Sequence, residues 1–342
     1  MLRHSRRRIL APLVAAAAAA TIALSACGDD SASGSGTDGG GDGGKLTLVA
    51  YSTPREVYEG LIPKFQATEA GAGVEFEQSY GASGEQSRAV EAGLAASVVA
   101  FSLEPDIDRL VKAGIVADTW ADNPHRGIIS DSVVAFAVRE GNPKNIRTWD
   151  DLTKEGVEVL TPNVFTSGGA RWNTMAAYGA QLELGRTPAQ ARRYLQKLYA
   201  NVVVQDKSAR EALQTFVSGK GDVLLAYENE AILAQRKGED LDYVVPDQTL
   251  LIETPVAVTT DAPPAAQAFL DFAWSPEGQR AFGEGGYRPV DEQVLAEFDY
   301  PKPAKLFTIA DLGGWPSVNE EFFDTDTGVV AKIFQAQGTP IE

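Results

Sequence analysis

The stretch Thr161-Pro162-Asn163-Val164-Phe165-Thr166-Ser167-Gly168-Gly169-Ala170-Arg171-Trp172-Asn173 carries the reading of this chain. Before it lies a short apolar run, Val157 to Leu160, of the length of a buried strand. After it, Ala170, Met175, Ala176, Gly179 and Leu182 fall roughly on one side of a helix. A strand therefore ends, the chain turns, and a helix begins at Ser167-Gly168-Gly169. The first N–H groups of a helix have no internal partner, and the peptide dipoles add partial positive charge there. Paired glycines let an anion approach those donors, and the Ser167 hydroxyl offers one more. The expectation is that the rest of the chain builds further donors facing this turn.

Working outward, the N-terminal side repeats the same strand, loop, helix order. Leu46 to Tyr51 reads as a strand, and Pro54 opens a helix with Val57, Leu61 and Phe65 on one face. Val74 to Gln78, a helix from about Glu85 to Ala96, the strand Val98 to Phe101 and a helix from Asp106 to Ala113 follow. Ser132 to Arg139 is a longer strand, suited to cross between lobes. C-terminal to the opening stretch come strands at Asn201 to Gln205, Asp222 to Tyr227, Tyr243 to Pro246 and Leu250 to Thr259, with helices opening at Ser208 and at Glu228. From Pro263 onward the pattern is mainly helical. This alternation predicts an α/β protein with mostly parallel sheets covered on both faces.

The strand ends share a chemistry. Ser52, Ser83, Ser167 and the pair Ser208-Ala209 each lead from a strand toward a helix start, and Tyr227 closes another strand. Ligands of open α/β sheets lie at the carboxyl ends of strands. Two of these ends fall in a first lobe and the rest in a second, so a cleft between lobes would gather them. Arg171 and Arg210 sit just inside two of the donor helices. They read either as surface salt bridges or as arginines that fix the donor loops behind the ligand.

Composition narrows the chemistry. The head Arg3, Arg6, Arg7, Arg8 and the apolar run Ile9 to Leu24 form a secretory signal over residues 1–26, ending in Leu24-Ser25-Ala26-Cys27, a lipobox. Ser5-Arg6-Arg7-Arg8-Ile9-Leu10 also resembles a twin-arginine signal, so the export route stays open. Cys27 is the expected lipidation site, and residues 27–44 make a flexible tether with a mean span on the order of 20 Å. The mature chain is thus expected at the extracytoplasmic face of the membrane, as a monomer held by its lipid. Net charge falls from −17 to −21 when the four signal arginines leave, which argues against nucleic-acid partners. With Cys27 the only cysteine and His125 the only mature histidine, a His/Cys metal cluster is excluded and a Ser-His-Asp triad has no support. No metal, cofactor or catalytic residue is expected. His125 reads as a plain surface residue, and Asp150-Asp151 as the cap of a short helix.

Several segments carry a family likeness: Tyr51 to Tyr58, Ser79-Tyr80-Gly81-Ala82-Ser83-Gly84, Ser167-Gly168-Gly169-Ala170-Arg171-Trp172-Asn173, Ala226-Tyr227-Glu228-Asn229-Glu230-Ala231, Ser275-Pro276-Glu277-Gly278, Tyr287-Arg288-Pro289 and Leu306-Phe307-Thr308-Ile309. In order and spacing, from about residue 46 to 315, they resemble the bacterial sulfate-binding proteins, which serve ABC importers. The resemblance implies the two-lobe periplasmic-binding-protein fold of type II, with an interlobe cleft. It implies lobe 1 at 45–132 plus 254–342, lobe 2 at 133–253, and a permease with its ATPase as partner. It also implies a sulfate contact from the Ser52 backbone, the Ser83 hydroxyl, Ser167, Gly168, Gly169, the Ala209 N–H and Tyr227. Tyr227 stands where well-known sulfate binders carry tryptophan, and Ser52 where aspartate is common.

The physics is consistent with that role. Sulfate at neutral pH only accepts hydrogen bonds, so a site made of donors suits it, whereas hydrogen phosphate needs an acceptor. Hydrogen bonds to a charged group contribute about 1.5–3 kcal/mol each, and micromolar affinity is about −8 kcal/mol, so several donors are required. Thiosulfate or a molybdate-type oxyanion on the same fold is the alternative. A secreted hydrolase is the reading from a different class.

Overall fold

The computed structural model describes residues 44–339 and 341. The expected signal, Cys27 and most of the tether lie outside the described residues. The first half opens with β1 (Lys45–Tyr51), α1 (Arg55–Gln66), β2 (Glu75–Gly81), α2 (Ser83–Glu91), β3 (Val98–Ala100) and α3 (Glu104–Lys112). The long strand β4 (Ile128–Arg139) leads to β5 (Val159–Leu160), α4 (Gly168–Glu183), α5 (Pro188–Ala200), β6 (Val202–Val204), α6 (Ala209–Val217), β7 (Val223–Tyr227), α7 (Glu228–Arg236) and β8 (Leu241–Val244). A second long strand, β9 (Gln248–Val258), precedes α8 (Pro264–Trp274), α9 (Pro276–Glu284), α10 (Glu292–Leu295), β10 (Lys305–Phe307), α11 (Gly314–Val318) and α12 (Val329–Gln337).

Alternation of side chains builds a core on each face of each half. In β1, Leu46, Leu48 and Ala50 bury against α1, α8 and α9, while Val49 turns to Phe101, Ile107 and Leu110 on the other face. In β7, Val223, Leu225 and Tyr227 face the cluster around Trp172 and Met175, while Leu224 and Ala226 face Ala212 and Phe216 of α6. Each such buried aliphatic or aromatic side chain contributes about 1.5–3 kcal/mol.

The sheet runs in the order β2-β1-β3-β9-β4-β7-β5-β6. Pairing is parallel at β1/β2, β1/β3, β5/β6 and β5/β7, and antiparallel where β9 and β4 join the halves. The register explains how two halves share two strands. Val256–Val258 of β9 pair with β3, Leu251–Pro255 pair with Ile128–Val133 of β4, and Val134–Val138 of β4 go on to pair with β7. Both crossing segments are thus hydrogen-bonded to each other between the halves.

Two boundaries differ from the sequence reading. Helix α2 stops at Glu91, because Gly93 adopts φ +105°, a left-handed conformation that ends a helix cheaply only at glycine. The chain after residue 305, placed with the first lobe by the expected division, touches α3 of the first half through α11 as well as packing on the second half. There β10 pairs with Gln248–Leu250, Trp315 packs edge-on against Trp172, and Phe334 against Tyr199. The Asp151 carboxylate caps a short 3-10 turn reciprocally with Thr148, as the sequence suggested. His125 is half-buried and stacks on Trp274, with rings 5.9 Å apart.

Candidate functional site

The turn before α4 is held from behind. Asn163 accepts the N–H groups of Thr166 and Ser167 at its carbonyl and of Phe165 at its side chain, and Thr166 Oγ1 donates to the Lys207 carbonyl. Ser167 then enters α4 in an extended conformation, and its hydroxyl makes no capping bond. Gly168 and Gly169 are buried, yet their N–H groups have no hydrogen-bond partner among the described residues. Buried backbone donors are nearly always paired. Adjacent buried donors left without acceptors at the positive end of a 16-residue helix make a site that wants an acceptor.

The surroundings of the two glycines show what gathers here. A β-carbon on Gly169 would lie 3.4 Å from Ala209 Cβ, from Ser167 Oγ and from Tyr227 Cε1. One on Gly168 would lie 2.5 Å from Ser102 Oγ and 2.8 Å from Leu103 Cγ. Thus α4, α6 and β7 of the second half meet the end of β3 from the first at one point. The Gly168 position is glycine because the Ser102 segment presses against it. Ala209, first residue of α6, also has no partner for its N–H among the described residues, while Ser208 uses its hydroxyl to cap Glu211.

The first half supplies Ser83 and Ser102. Ser83 Oγ donates to the Asp106 carboxylate at 2.5 Å and accepts from the Ser102 N–H at 2.9 Å. The resemblance implies a hydroxyl donor at Ser83, but in this geometry its one proton is taken by Asp106. Burial raises the Asp106 carboxyl above its ordinary range, opposed by the Ser83 hydrogen bond and by Arg171, Arg109 and Arg88. Ser102, absent from the sequence reading, is fixed further by Trp172 Nε1, which donates to its carbonyl at 2.8 Å. Its Oγ lies 2.6 Å from Tyr227 Oη. The signal for it was present: it follows a strand and precedes a helix, as the other donor serines do. Ser52 is half-buried on the loop after β1 and makes no hydrogen bond among the described residues. Beside it, Thr53 Oγ1 and Tyr287 Oη lie 2.7 Å apart.

Tyr227 is buried, and that burial holds its hydroxyl well above the ordinary tyrosine range, so it stays a proton donor. Arg171 turns back from the helix start. Its Nε donates to the Val164 carbonyl at 2.9 Å and its Nη1 to Asn319 at 3.0 Å, which fixes the turn from behind. Arg210 spans the halves. It donates to Glu230 on α7, to Glu56 on α1 at 2.6 Å and to the Thr53 carbonyl at 2.9 Å. Burial would raise the Glu56 carboxyl, but Arg210 and Lys237 outweigh it and push the group down to about 2. Despite the acidic whole, a cavity of about 330 Å³ beside the turn gathers Arg88, Arg109, Lys112 and Arg171 against Glu91 and Asp106. Local charge there is the reverse of the molecule's.

Residues 46–288 match the model of the bacterial extracellular solute-binding proteins. A sulfate-binding protein of Synechococcus elongatus is 46% identical, over 96% of this chain and 97% of its own. A thiosulfate-binding protein of Pseudomonas aeruginosa is 34% identical over 84% of this chain and 92% of its own. Among solved structures, the sulfate-binding protein SubI from Mycobacterium tuberculosis H37Rv aligns with a TM-score of 0.80 and 47% identity, over 82% of this chain and 99% of that one. The fold is that of the periplasmic binding proteins, and the chain belongs to the family of bacterial sulfate-binding proteins.

Proposed function

We propose that this chain captures sulfate between its two halves and delivers it to an ABC permease with its ATPase. The observation that carries the reading is the pair of buried, unpartnered N–H groups at Gly168 and Gly169. To them the proposed donor set adds Ser167, the Ala209 N–H, Tyr227 and, from the first half, the Ser52 backbone; Ser83, expected to donate its hydroxyl, gives that proton to Asp106 and holds the Ser102 N–H instead. Neutral donors from several elements suit a dianion that only accepts, and the named relatives of highest identity given above are sulfate binders. Binding closes the two lobes by a hinge at β4 and β9, the segments shared between them. The lobes divide near residues 133 and 253, with residues 305–337 seated on the second. Residues 1–26 direct export, and Cys27, preceded by Leu24-Ser25-Ala26, carries the lipid that keeps a monomer at the extracytoplasmic membrane face. The protein binds and releases its ligand without turnover.

Thiosulfate is the second reading, supported by the 34% relative and by a tyrosine at position 227, whose hydroxyl both donates and accepts. Titration calorimetry of the mature protein with sulfate, thiosulfate, molybdate and phosphate separates these. Sulfate is expected to bind most tightly. Tight phosphate binding with no sulfate binding overturns the proposal.

A further inference from the structure

Ser102 and Tyr227 face each other from opposite halves of the molecule. Both are 1% exposed, and their hydroxyl oxygens lie 2.6 Å apart. Each hydroxyl carries one proton, and a hydrogen bond between them uses only one. Neither side chain makes another hydrogen bond among the described residues. One buried O–H is therefore left without an acceptor, whichever of the two donates to the other. Buried donors without acceptors are rare and costly. This one lies where Gly168 and Gly169 also present unpartnered N–H groups, since Ser102 Oγ abuts the Gly168 position and the Tyr227 ring abuts Gly169.

Ser83 cannot take the same role while its proton is held by Asp106. What Ser83 does is accept from the Ser102 N–H, while Trp172 donates to the Ser102 carbonyl. Three contacts thus orient Ser102 toward Tyr227. Burial keeps the Tyr227 hydroxyl protonated well above neutral pH.

We propose that Ser102 is a further ligand-binding residue, and that Ser102 and Tyr227 act as one unit delivering a single hydroxyl proton to the bound oxyanion. This rests on the oxyanion-binding reading above. Because the unit forms only when the two halves meet, it couples ligand contact to closure. The free proton belongs to the terminal oxygen of a two-hydroxyl chain, so removing that oxygen removes the contact, while removing the inner one takes away the hydroxyl that orients and polarises it.

The experiment compares wild type, Ser102→Ala, Tyr227→Phe and the double variant by calorimetry with sulfate, together with melting temperatures with and without sulfate. The change that removes the terminal oxygen is expected to weaken sulfate binding about 10-fold, the weight of one hydrogen bond to a charged group, and the other change about 5-fold, through the lost orientation of its partner. The double variant is expected to bind within about 2-fold of the weaker single one. Tyr227→Phe keeps the buried ring, so its sulfate-free melting temperature stays close to wild type while the sulfate-induced rise shrinks. Ser102→Ala or Tyr227→Phe binding within 2-fold of wild type overturns the proposal, and so do losses that simply multiply in the double variant. A wild-type protein that binds no oxyanion sinks the functional reading itself; wild-type binding with indifferent variants sinks only the pair.

Discussion

The starts of α4 and α6 look alike in sequence, a serine followed by small residues, and they are used in opposite ways. Both serines enter their helices in extended backbone conformations. Ser208 turns its hydroxyl inward and accepts the Glu211 N–H at 3.2 Å, while Ser167 accepts nothing. The first turn of α6 also carries Glu211, and Arg210 there reaches Glu230 and Glu56; the first turn of α4 has no acid at all. One helix start is largely satisfied by its own chain, with the Ala209 N–H left over. The other keeps its positive end and its buried N–H groups for something outside the chain. Side-chain charge therefore fastens protein to protein at α6, and backbone dipoles are left for the anion at α4.

The sharpest way to break this contrast is to put the same carboxylate at both positions. Aspartate is a good N-cap, so Ser208→Asp should fold normally and bind sulfate within a few-fold of wild type. Ser167→Asp should also fold, but its charge would cap the helix and occupy the place of the ligand. Losing even two charge-assisted hydrogen bonds at about 2 kcal/mol each removes about 1000-fold in affinity, before repulsion is counted. Calorimetry on the two variants decides. Equal losses at both positions would mean that α4 is not the privileged helix end.

A smaller effect separates the two glycines within the α4 turn. An alanine at 169 meets its neighbours at 3.4 Å, ordinary contact, and gains about 1 kcal/mol of helix propensity. An alanine at 168 would place Cβ at 2.5 Å from Ser102 Oγ and 2.7 Å from Ser102 Cβ, a collision with a fixed segment of the other half. Gly168→Ala should therefore lower sulfate affinity by roughly 10- to 100-fold, since the donors of the two halves no longer meet, at about 1.4 kcal/mol per tenfold. Gly169→Ala should stay within about 3-fold by the same conversion and melt at or above wild type. Reversal of that order, read by calorimetry and thermal unfolding, would show that the glycines admit the anion rather than the opposing segment.

Much of this was legible in the residues. Pro54 followed by Val57, Leu61 and Phe65 gave α1, and the split of β7 between two cores follows from strict alternation. The turn at Ser167-Gly168-Gly169 was legible because a strand, a hydroxyl, two glycines and a helix pattern occur in one run. Helix α5 is absent from the sequence reading, although Thr187 and Gln190 cap it reciprocally, a spacing visible in sequence. Strand β10 has three residues and depends on β9 for its existence. Ser102 was missed for a deeper reason. Its chemistry comes from a residue 125 positions away, and the competing claim on Ser83 comes from Asp106, 23 positions away. Periodicity and local motifs report which elements form. They do not report where a hydroxyl proton goes once two halves close.

The smallest test concerns the clasp at the α6 start. Glu56 titrates at about 2 because Arg210 and Lys237 hold its charged form against the cost of burial, below the ordinary value of 4.5. A depressed carboxyl contributes stability that is fully present above its unfolded value and is lost as pH falls toward the folded one. Glu56 is partly exposed, so solvent screens the pair and the contribution is modest. Melting temperature should thus be flat with respect to this group above about pH 5 and decline between 4.5 and 2. Glu56→Gln should flatten part of that decline, with sulfate affinity at pH 7 falling only a few-fold, since no Glu56 atom belongs to the proposed donor set. Sulfate remains a dianion through most of that range, so the α4 donors should keep their ligand while the clasp weakens. If sulfate affinity instead collapsed along with the Glu56 titration, the division between a charged fastening at α6 and a dipolar grip at α4 would not hold.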